Sequence, residues 1–469
     1  MDRIAKLERR PETAAARMNA GAFLLAFLVA VMAVVMRLVE RSWFGPAAFF
    51  GLYWSGFLWA VMLLVPSFTL TASGVAWIAL SYFALIVGAT LARYGTKATA
   101  NIGILNGSYT PGEVKTLKLL VVGGSLLALC AVPILVRAAG VSISGFRNFR
   151  SLLRVAGYYT SNRYNNPSFR EPALAIALWT FAYIASALGG RLFVVAPKTS
   201  ARLIAFTPIV VAAVLATLMT TRALVLLSLL LWVSGYMMSI VERGHRQKRA
   251  ISGRAVILVI VLGCSAIGLF IAGELVRGGG AAKVSRQRIY ASVATSFLGS
   301  TSSFTMWFAK TAGGQLENYG YGARTLSGEL QWLMPGFRRA SVATFKPIVV
   351  GRGSDLGEAT TVATLFRGWI FDFSPAGCLA LFAVLGAFGA RTYAGCASRG
   401  IIRGAGLSAY YLIVLYSMMG FVYKFTTLLA VSIAFTFYCK YLSGRFWKAS
   451  VAWRGTLSCW PGFLSHHDR

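Results

Sequence analysis

The chain has 469 residues, of which 57% are hydrophobic and 13% charged, with a mean hydropathy of +0.66. Soluble proteins carry about 25% charged residues, so composition excludes an ordinary soluble enzyme and indicates a membrane protein. The formal net charge of +32 comes largely from 34 arginines against 12 lysines. No basic soluble domain accompanies it, so nucleic acid is excluded as a partner.

Apolar runs near 20 residues recur along the chain, about the length a helix needs to cross a ~30 Å hydrocarbon core. The short alternating segments of an outer-membrane barrel are absent, and helices satisfy their backbone internally in lipid. The expected fold is an all-α polytopic membrane protein of about 11–12 transmembrane helices, one membrane domain over 1–469. Spans are expected at about 20–38, 46–66, 72–92, 117–136, 172–190, 203–219, 223–241, 255–273, 368–390, 407–423 and 425–442.

The amino end, "MDRIAKLERRPETAAARMNAGAFLLAFLVAVMAVVMRLVE", pairs a basic lead with an apolar stretch and no A-x-A-like cleavage site, so it reads as a retained first span. Basic loops at 93–118, 191–202, 242–254 and 391–406, and the basic tail 443–469, belong in the cytoplasm. The segments 140–171 and 274–366 then face the other side of the membrane. One conflict follows. Three spans precede Arg93 and place the basic amino end outside, unless one early segment fails to cross or a further span exists. Cys130, Cys264, Cys378 and Cys439 lie within apolar runs and no paired spacing appears, so neither a disulfide framework nor a metal site is expected.

In the first outer segment, Phe146, Phe149 and Leu153 share one helical face and Arg147, Arg150 and Arg154 follow one residue later. That pattern suits a short helix lying in the interface, its arginines either on lipid headgroups or forming a cationic lip over a phosphate-bearing lipid. Next, Tyr158, Tyr159, Tyr164 and Phe169 alternate with Asn162, Arg163, Asn165, Asn166 and Arg170. Aromatic faces and amides of this kind bind sugars, although Asn, Pro and Ser are also ordinary loop residues.

The large outer segment, from Glu274 to Phe366, carries seven arginines and three lysines against five acids. A cationic cavity on this side implies an anionic ligand, and in a bacterial inner membrane the abundant anionic substrate presented there is a lipid diphosphate. "VRGGGAAKVSRQRIY" sets Gly278–Gly280 among Arg277, Lys283, Arg286 and Arg288. Glycines let backbone N–H groups approach an anion, or make a flexible joint. The apolar stretch 290–309 is expected to sit in the membrane surface or dip into it. None of the three histidines lies in either outer segment, so a general base there must be a carboxylate, with Glu358 and Glu329 the candidates. No D-x-D occurs, which argues against a divalent metal of the kind nucleotide-sugar enzymes use. The stretch "GRGSDLGEATTVATLFRGWIFDFSPAGC" carries Asp355, Glu358, Arg367 and Asp372 down into a late span ahead of Pro375. Arg367 and Asp372, five apart, are spaced too widely for an i,i+4 pair. A bend at Pro375 would let them neutralise each other at the rim, or they form the floor of an outward cavity.

Three places resemble the bacterial O-antigen (Wzy-type) repeat-unit polymerases. "MTTRALVLL" places Thr220, Thr221 and Arg222 at the outer end of a helical hairpin. "RIYASVATSFLG" spaces Arg288 and Gly299 as R-x10-G, and "GEATTVATLFRGWIFDFSPAGCLALFAVLGAFGA" is similar to that family's approach to a late span. The layout of many spans, one medium and one large periplasmic loop and basic cytoplasmic turns resembles the family over most of the chain. The resemblance implies a GT-C-like fold and a glycosyltransferase at the periplasmic face of the inner membrane. It would move a growing glycan from undecaprenyl diphosphate onto another lipid-linked repeat unit, with no cofactor and no metal. Its partners would be undecaprenyl-diphosphate-linked oligosaccharides and the lipid bilayer, with a chain-length regulator and a flippase beside it. Arg222, Arg277, Arg288, Arg163, Arg170 and Arg367 would bind substrate, and arginines would stabilise the departing diphosphate. An O-antigen ligase and a lipid-linked oligosaccharide flippase are the alternative readings. The ligase family usually carries a histidine in the large outer loop, and a flippase is not expected to have a loop of about 90 residues.

Overall fold

A computed structural model describes residues 10–94, 111–141, 171–219, 221–247, 286–311 (side chains from 290), 319–327, 364–397 and 401–443, with shorter stretches at 155–159, 161–162, 348–349 and 359–360 and isolated positions between them. The described part is almost entirely helical. In chain order the helices are α1 (Arg10–Glu40), α2 (Pro46–Leu64), α3 (Ala72–Tyr94), α4 (Pro111–Leu129), α5 (Ala131–Ala138), α6 (Ala173–Val195), α7 (Thr199–Ile204), α8 (Thr207–Met219), α9 (Arg222–Gln247), α10 (Arg286–Phe297) and α11 (Gly299–Lys310). A two-residue antiparallel ladder, β1 (Ile348–Val349) with β2 (Ala359–Thr360), precedes α12 (Leu365–Ala397), α13 (Ile401–Tyr416) and α14 (Thr426–Phe437). Eight of the described segments are long and apolar enough to cross a membrane, from Ala20–Glu40 to Leu365–Cys396, and two shorter apolar helices cover Gly404–Met419 and Thr426–Lys440. The chain is therefore a helical multi-pass membrane protein. The expected span 255–273 and the expected interfacial helix at 145–154 lie outside the described residues.

Two compact units divide the chain. The first comprises Met1–Ile102, Ile251–Ala394 and Ala409–Leu429; the second comprises Gly103–Ala250, Gly395–Ser408 and Ala430–Arg469.

In the first unit α1, α2 and α3 each reverse the direction of the one before, so that α1 and α3 run parallel. Gly45, at the start of α2, has no side chain to cap the helix. The Glu40 carboxylate does so instead, accepting the N–H groups of Ala47 at 3.2 Å and Ala48 at 2.9 Å and pairing with Arg93. An anion at a helix amino end satisfies otherwise orphaned N–H groups and the local dipole. Gly21 of α1 lies beside Ala72, at the opposite end from Glu40 and Arg93. All three early helices are long and apolar enough to cross a membrane. The core between α2, α3, α11 and α12 is aromatic: Phe366 packs on Trp54 at 4.8 Å, Phe304 at 5.3 Å and Phe382 at 4.9 Å, and Phe382 meets Phe50 at 5.7 Å. The stretch 290–309 is helical. It forms α10 and α11, and α11 buries its small polar face against the start of α3, where Thr71 donates to the Thr305 carbonyl at 2.6 Å and Ser302 to the Thr69 carbonyl at 2.7 Å.

In the second unit α4, α6, α8 and α9 pack together, and Trp232 is stacked between Phe206 and Tyr236 while donating to the Ala205 carbonyl. Arg191 near the end of α6 bridges Glu113 at 2.9 Å and Glu242 at 2.7 Å. Three helices are tied at one end by a cation that costs less to bury because it is paired on two sides. In the first outer segment Val155, Ala156 and Tyr159 are buried, and Tyr159 meets Phe169 edge-on at 5.3 Å, so this aromatic pair packs within the protein while Tyr158 is exposed.

The α3–α12 crossing is closer than any side chain allows: a Cβ on Gly386 would stand 2.0 Å from the Leu85 carbonyl oxygen, and one on Gly88 1.8 Å from that of Ala383. Overpacking a tight contact costs about 1–3 kcal/mol. Gly386→Val is expected to lower the unfolding midpoint of the detergent-solubilised protein, followed by intrinsic fluorescence, whereas Gly56→Val, which meets nothing within 4 Å, leaves it within a degree or so. Equal midpoints for the two variants would contradict the crossing.

Candidate functional site

The helix that covers the expected span 368–390 is broken next to Pro375, where the sequence suggested a bend. Ser374 sits at φ 69°, ψ 169°, outside the helical region and in one that side chains rarely adopt, and Pro375 follows it. The local sequence explains the break. Ser374 accepts the Gly377 N–H at 3.3 Å on its Oγ and caps a new helix, and proline is favoured at the first helical position because it has no N–H to lose. The same proline leaves the Phe371 carbonyl without its helical donor. The neighbouring Asp372 carbonyl falls at the end of the first half, where terminal carbonyls have no partner within the helix.

Residues 319–327 of the large outer segment supply what the break removes. Gly320 N–H donates to the Phe371 carbonyl and Tyr321 N–H to the Asp372 carbonyl, each at 2.9 Å. The Asp372 carboxylate then takes Thr325 N–H at 2.6 Å, the Thr325 hydroxyl at 2.5 Å and the Arg324 N–H at 3.2 Å. Asp372 is fully buried, and a carboxylate is stable there because these donors replace its water. The approach is close: a Cβ on Gly320 would lie 2.5 Å from Asp372 Oδ1. Tyr321 is held at φ 45° with its side chain 85% exposed.

Two guanidinium groups converge on the ring of Phe371. Arg324 lies over it at 4.1 Å, and Arg367 at 5.8 Å, with Arg367 also 5.2 Å from the Trp307 ring. Trp307 and Phe371 are themselves stacked at 5.1 Å, so the quadrupoles of two rings attract both cations. Burial lowers the Arg324 pKa from its ordinary value, and Asp372 opposes that shift. Beside Asp372 opens a cavity of about 590 Å³, lined by Tyr319, Tyr321 and Ser374 at one end and by Ala380, Leu381 and Val384 at the other.

Of the residues proposed from sequence, Arg367 belongs to this cluster and is 3% exposed. Among the described ion pairs none joins it to Asp372, which corrects the expected mutual neutralisation. The acid is turned toward Thr325 and Arg324 by the incoming outer segment, and Arg367 lies over the aromatic pair. Both charges are buried in protein, and Asp372, but not Arg367, is among the residues lining the hollow. Arg222 is the first residue of α9, and Arg288 lies in the first turn of α10; their side chains are outside the described set. Glu358, Glu329, Arg277, Arg163 and Arg170 also lie outside the described residues. Sequence reasoning missed Arg324, Thr325, Tyr319 and Tyr321. The signal available was "YGYGART", two glycines flanking a tyrosine, together with an acid three residues before a proline inside a span.

The fold and the site thus define a helical multi-pass membrane protein with a broken span, a buried cationic-aromatic cluster at the break and a hollow beside it. No family model, curated protein or solved structure matches this chain.

The Asp372–Thr325 contact is measurable as a coupling. Hydrogen bonds to a charged group contribute about 1.5–3 kcal/mol each, so a double-mutant cycle of Asp372→Asn and Thr325→Val on unfolding in detergent is expected to give a coupling of about 1–3 kcal/mol. Additive effects would show that the two residues do not hold one another.

Proposed function

We propose that this protein is a glycosyltransferase of the repeat-unit polymerase type, extending lipid-diphosphate-linked oligosaccharides into a surface polysaccharide at the periplasmic face of a bacterial inner membrane. One observation carries the reading: Arg324 and Arg367 converge on one aromatic ring at the junction of a span and the large outer segment, beside a hollow that continues down the span. Guanidinium groups bind phosphate in bidentate fashion. A diphosphate leaving group that departs with its charge developing is stabilised by cations already fixed in place. The hydrogen-bond clamp on Asp372 supports the fixing, because it anchors the segment that carries Arg324.

In this reading Asp372 is a positioning residue. Three donors from Arg324 and Thr325 already occupy most of its about four acceptor sites, so it is a poor candidate for removing the acceptor hydroxyl's proton. That task falls to Glu358 or Glu329, the carboxylates proposed from sequence. The bond broken joins the donor sugar's anomeric carbon to the diphosphate oxygen. The bond formed joins that carbon to the acceptor hydroxyl oxygen, and the hydroxyl proton passes to the base. Arg288 and Arg277, in the same unit as the cluster, are further phosphate contacts in this proposal, and Arg222, Arg163 and Arg170, in the second unit, are substrate contacts carried from the resemblance alone.

The test is extension of purified lipid-linked repeat units by the purified protein in the absence of nucleotide sugar, read as a ladder of products. The expected result is a ladder that Arg222→Ala and Arg367→Ala each abolish at unchanged protein level. Arg367→Lys would retain part of the activity if charge is enough and lose it if the planar fork is required. Removing a preorganised stabiliser costs about 10²–10³ in rate. No ladder from the wild-type protein, or an undiminished one from Arg367→Ala, would refute the proposal.

A further inference from the structure

The break at Ser374 does more than bend α12. The ring of Phe382 meets Phe366 at 4.9 Å and Trp369 at 4.8 Å. In one straight helix Phe366 and Phe382 would stand about 24 Å apart. The two halves of α12 therefore fold back on each other as a helical hairpin. The first half, residues 365–373, begins inside the bundle, beside Trp54 in the middle of α2. Thr364 caps it: its hydroxyl accepts the Arg367 N–H at 3.4 Å and its carbonyl the Gly368 N–H at 3.1 Å. Acids are favoured in the first turn of a helix, where the dipole is positive. This first turn has none and carries Arg367 instead.

Helix α11 lies along this half-helix and advances in the same direction, since Phe304 meets Phe366 at 5.3 Å and Trp307 meets Phe371 at 5.1 Å. Ser300, Ser303, Phe304 and Trp307 share one side of α11 by their spacing. Ser300 precedes Phe304 by one turn, so the two serines face the region off the amino end of the half-helix, and the Arg367 guanidinium lies over Trp307 on the same side at 5.2 Å. Ser300 is 0% exposed and Ser303 1%, and among the described residues neither hydroxyl has a hydrogen-bond partner. That is unusual for this chain. Buried hydroxyls of Ser125, Ser186 and Ser239 donate to the carbonyl one turn back, and on α11 itself Ser302 and Thr305 are bonded. A buried hydroxyl left without a partner is costly. Two free hydroxyl donors, the positive end of a helix and a guanidinium together lack one thing, an acceptor. We infer that the amino end of the half-helix is a binding site for a small inorganic anion of the halide type, held by the hydroxyls of Ser300 and Ser303 in the positive field of the helix end and Arg367. The surroundings are tightly packed: Phe366 is flanked by Trp54, Phe304 and Phe382, and a Cβ on Gly74 would stand 2.4 Å from the Thr305 Cα. Such packing suits a single-atom ion better than phosphate. The inference stands apart from the polymerase reading, since it involves neither lipid nor glycan.

The experiment follows thermal unfolding of the full chain in detergent while sodium gluconate is exchanged for sodium chloride, and separately for sodium phosphate, at constant ionic strength. A ligand that binds only the folded state raises the midpoint with the logarithm of its concentration. Chloride is expected to raise it by about 1–2 °C per tenfold increase above the dissociation constant, and gluconate and phosphate to leave it unchanged. The double variant Ser300→Ala, Ser303→Ala is expected to keep the gluconate midpoint and lose the chloride shift, because these hydroxyls bond nothing in the protein. Ser302→Ala, which loses its bond to the Thr69 carbonyl, is expected to have a lower midpoint in both salts and to keep the shift. Equal midpoints in chloride and gluconate would leave only water on the hydroxyls and overturn the site. A shift with phosphate but not chloride would overturn the halide, and an undiminished shift in the double variant would overturn the location. The comparison of salts on the unaltered protein depends on no variant folding. Chain extension is not read here, so the two readings fail separately: a chloride shift without a product ladder sinks the polymerase reading alone, and a ladder without a shift sinks the anion site alone.

Discussion

A proline that cannot donate a hydrogen bond sets the layout around which the first unit is organised. Within a bilayer an unsatisfied carbonyl costs several kcal/mol, so a break inside a span survives only where protein supplies the missing donors. Pro375 and the turn at Ser374 release the carbonyls of Phe371 and Asp372, and the N–H groups of Gly320 and Tyr321 take them up. The broken helix and the outer segment are therefore each other's condition. Without the segment the break would be too costly, and without the break the segment would have nothing to bond to.

Placement of charge follows from that junction. The Asp372 carboxylate is already surrounded by donors from Arg324 and Thr325, so the segment that repairs the break also delivers a second guanidinium beside Arg367. The aromatic core holds both in place. Phe371 is stacked on Trp307, and Trp307 lies on α11, which is itself tied to the start of α3 through Thr71 and Ser302. Rigid packing behind a site limits how far its side chains drift and is what preorganised electrostatics require. The hollow is a by-product of the same geometry, since a helix that restarts at Ser374 leaves room beside its first turns.

The sequence made much of this architecture legible and left the rest hidden for a physical reason. Hydropathy located the described spans because membrane length and apolarity are written in the residues themselves. The stretch from Arg367 to Pro375 drew attention because charge in a span is expensive. A helix restart was also readable there, as serine followed by proline. What could not be read was the partner of Asp372. It is bound mainly by backbone N–H groups, which every residue has, and by a threonine 47 positions earlier in the chain. Arg324 consequently looked like one of seven loop arginines, and an Arg367–Asp372 pair looked natural because the two are neighbours in sequence. Backbone donors reaching over a long separation leave no signature in composition or spacing.

The central claim is that residues 320–325 are docked on the broken helix rather than free above it. Hydrogen–deuterium exchange of the full chain in nanodiscs tests this most directly. The account expects the amides of Gly320, Tyr321, Arg324 and Thr325 to exchange slowly, on the scale of the buried turns of α11, and to become fast in Asp372→Ala. Fast exchange of these four amides in the unaltered protein, at rates typical of an open loop, would contradict it.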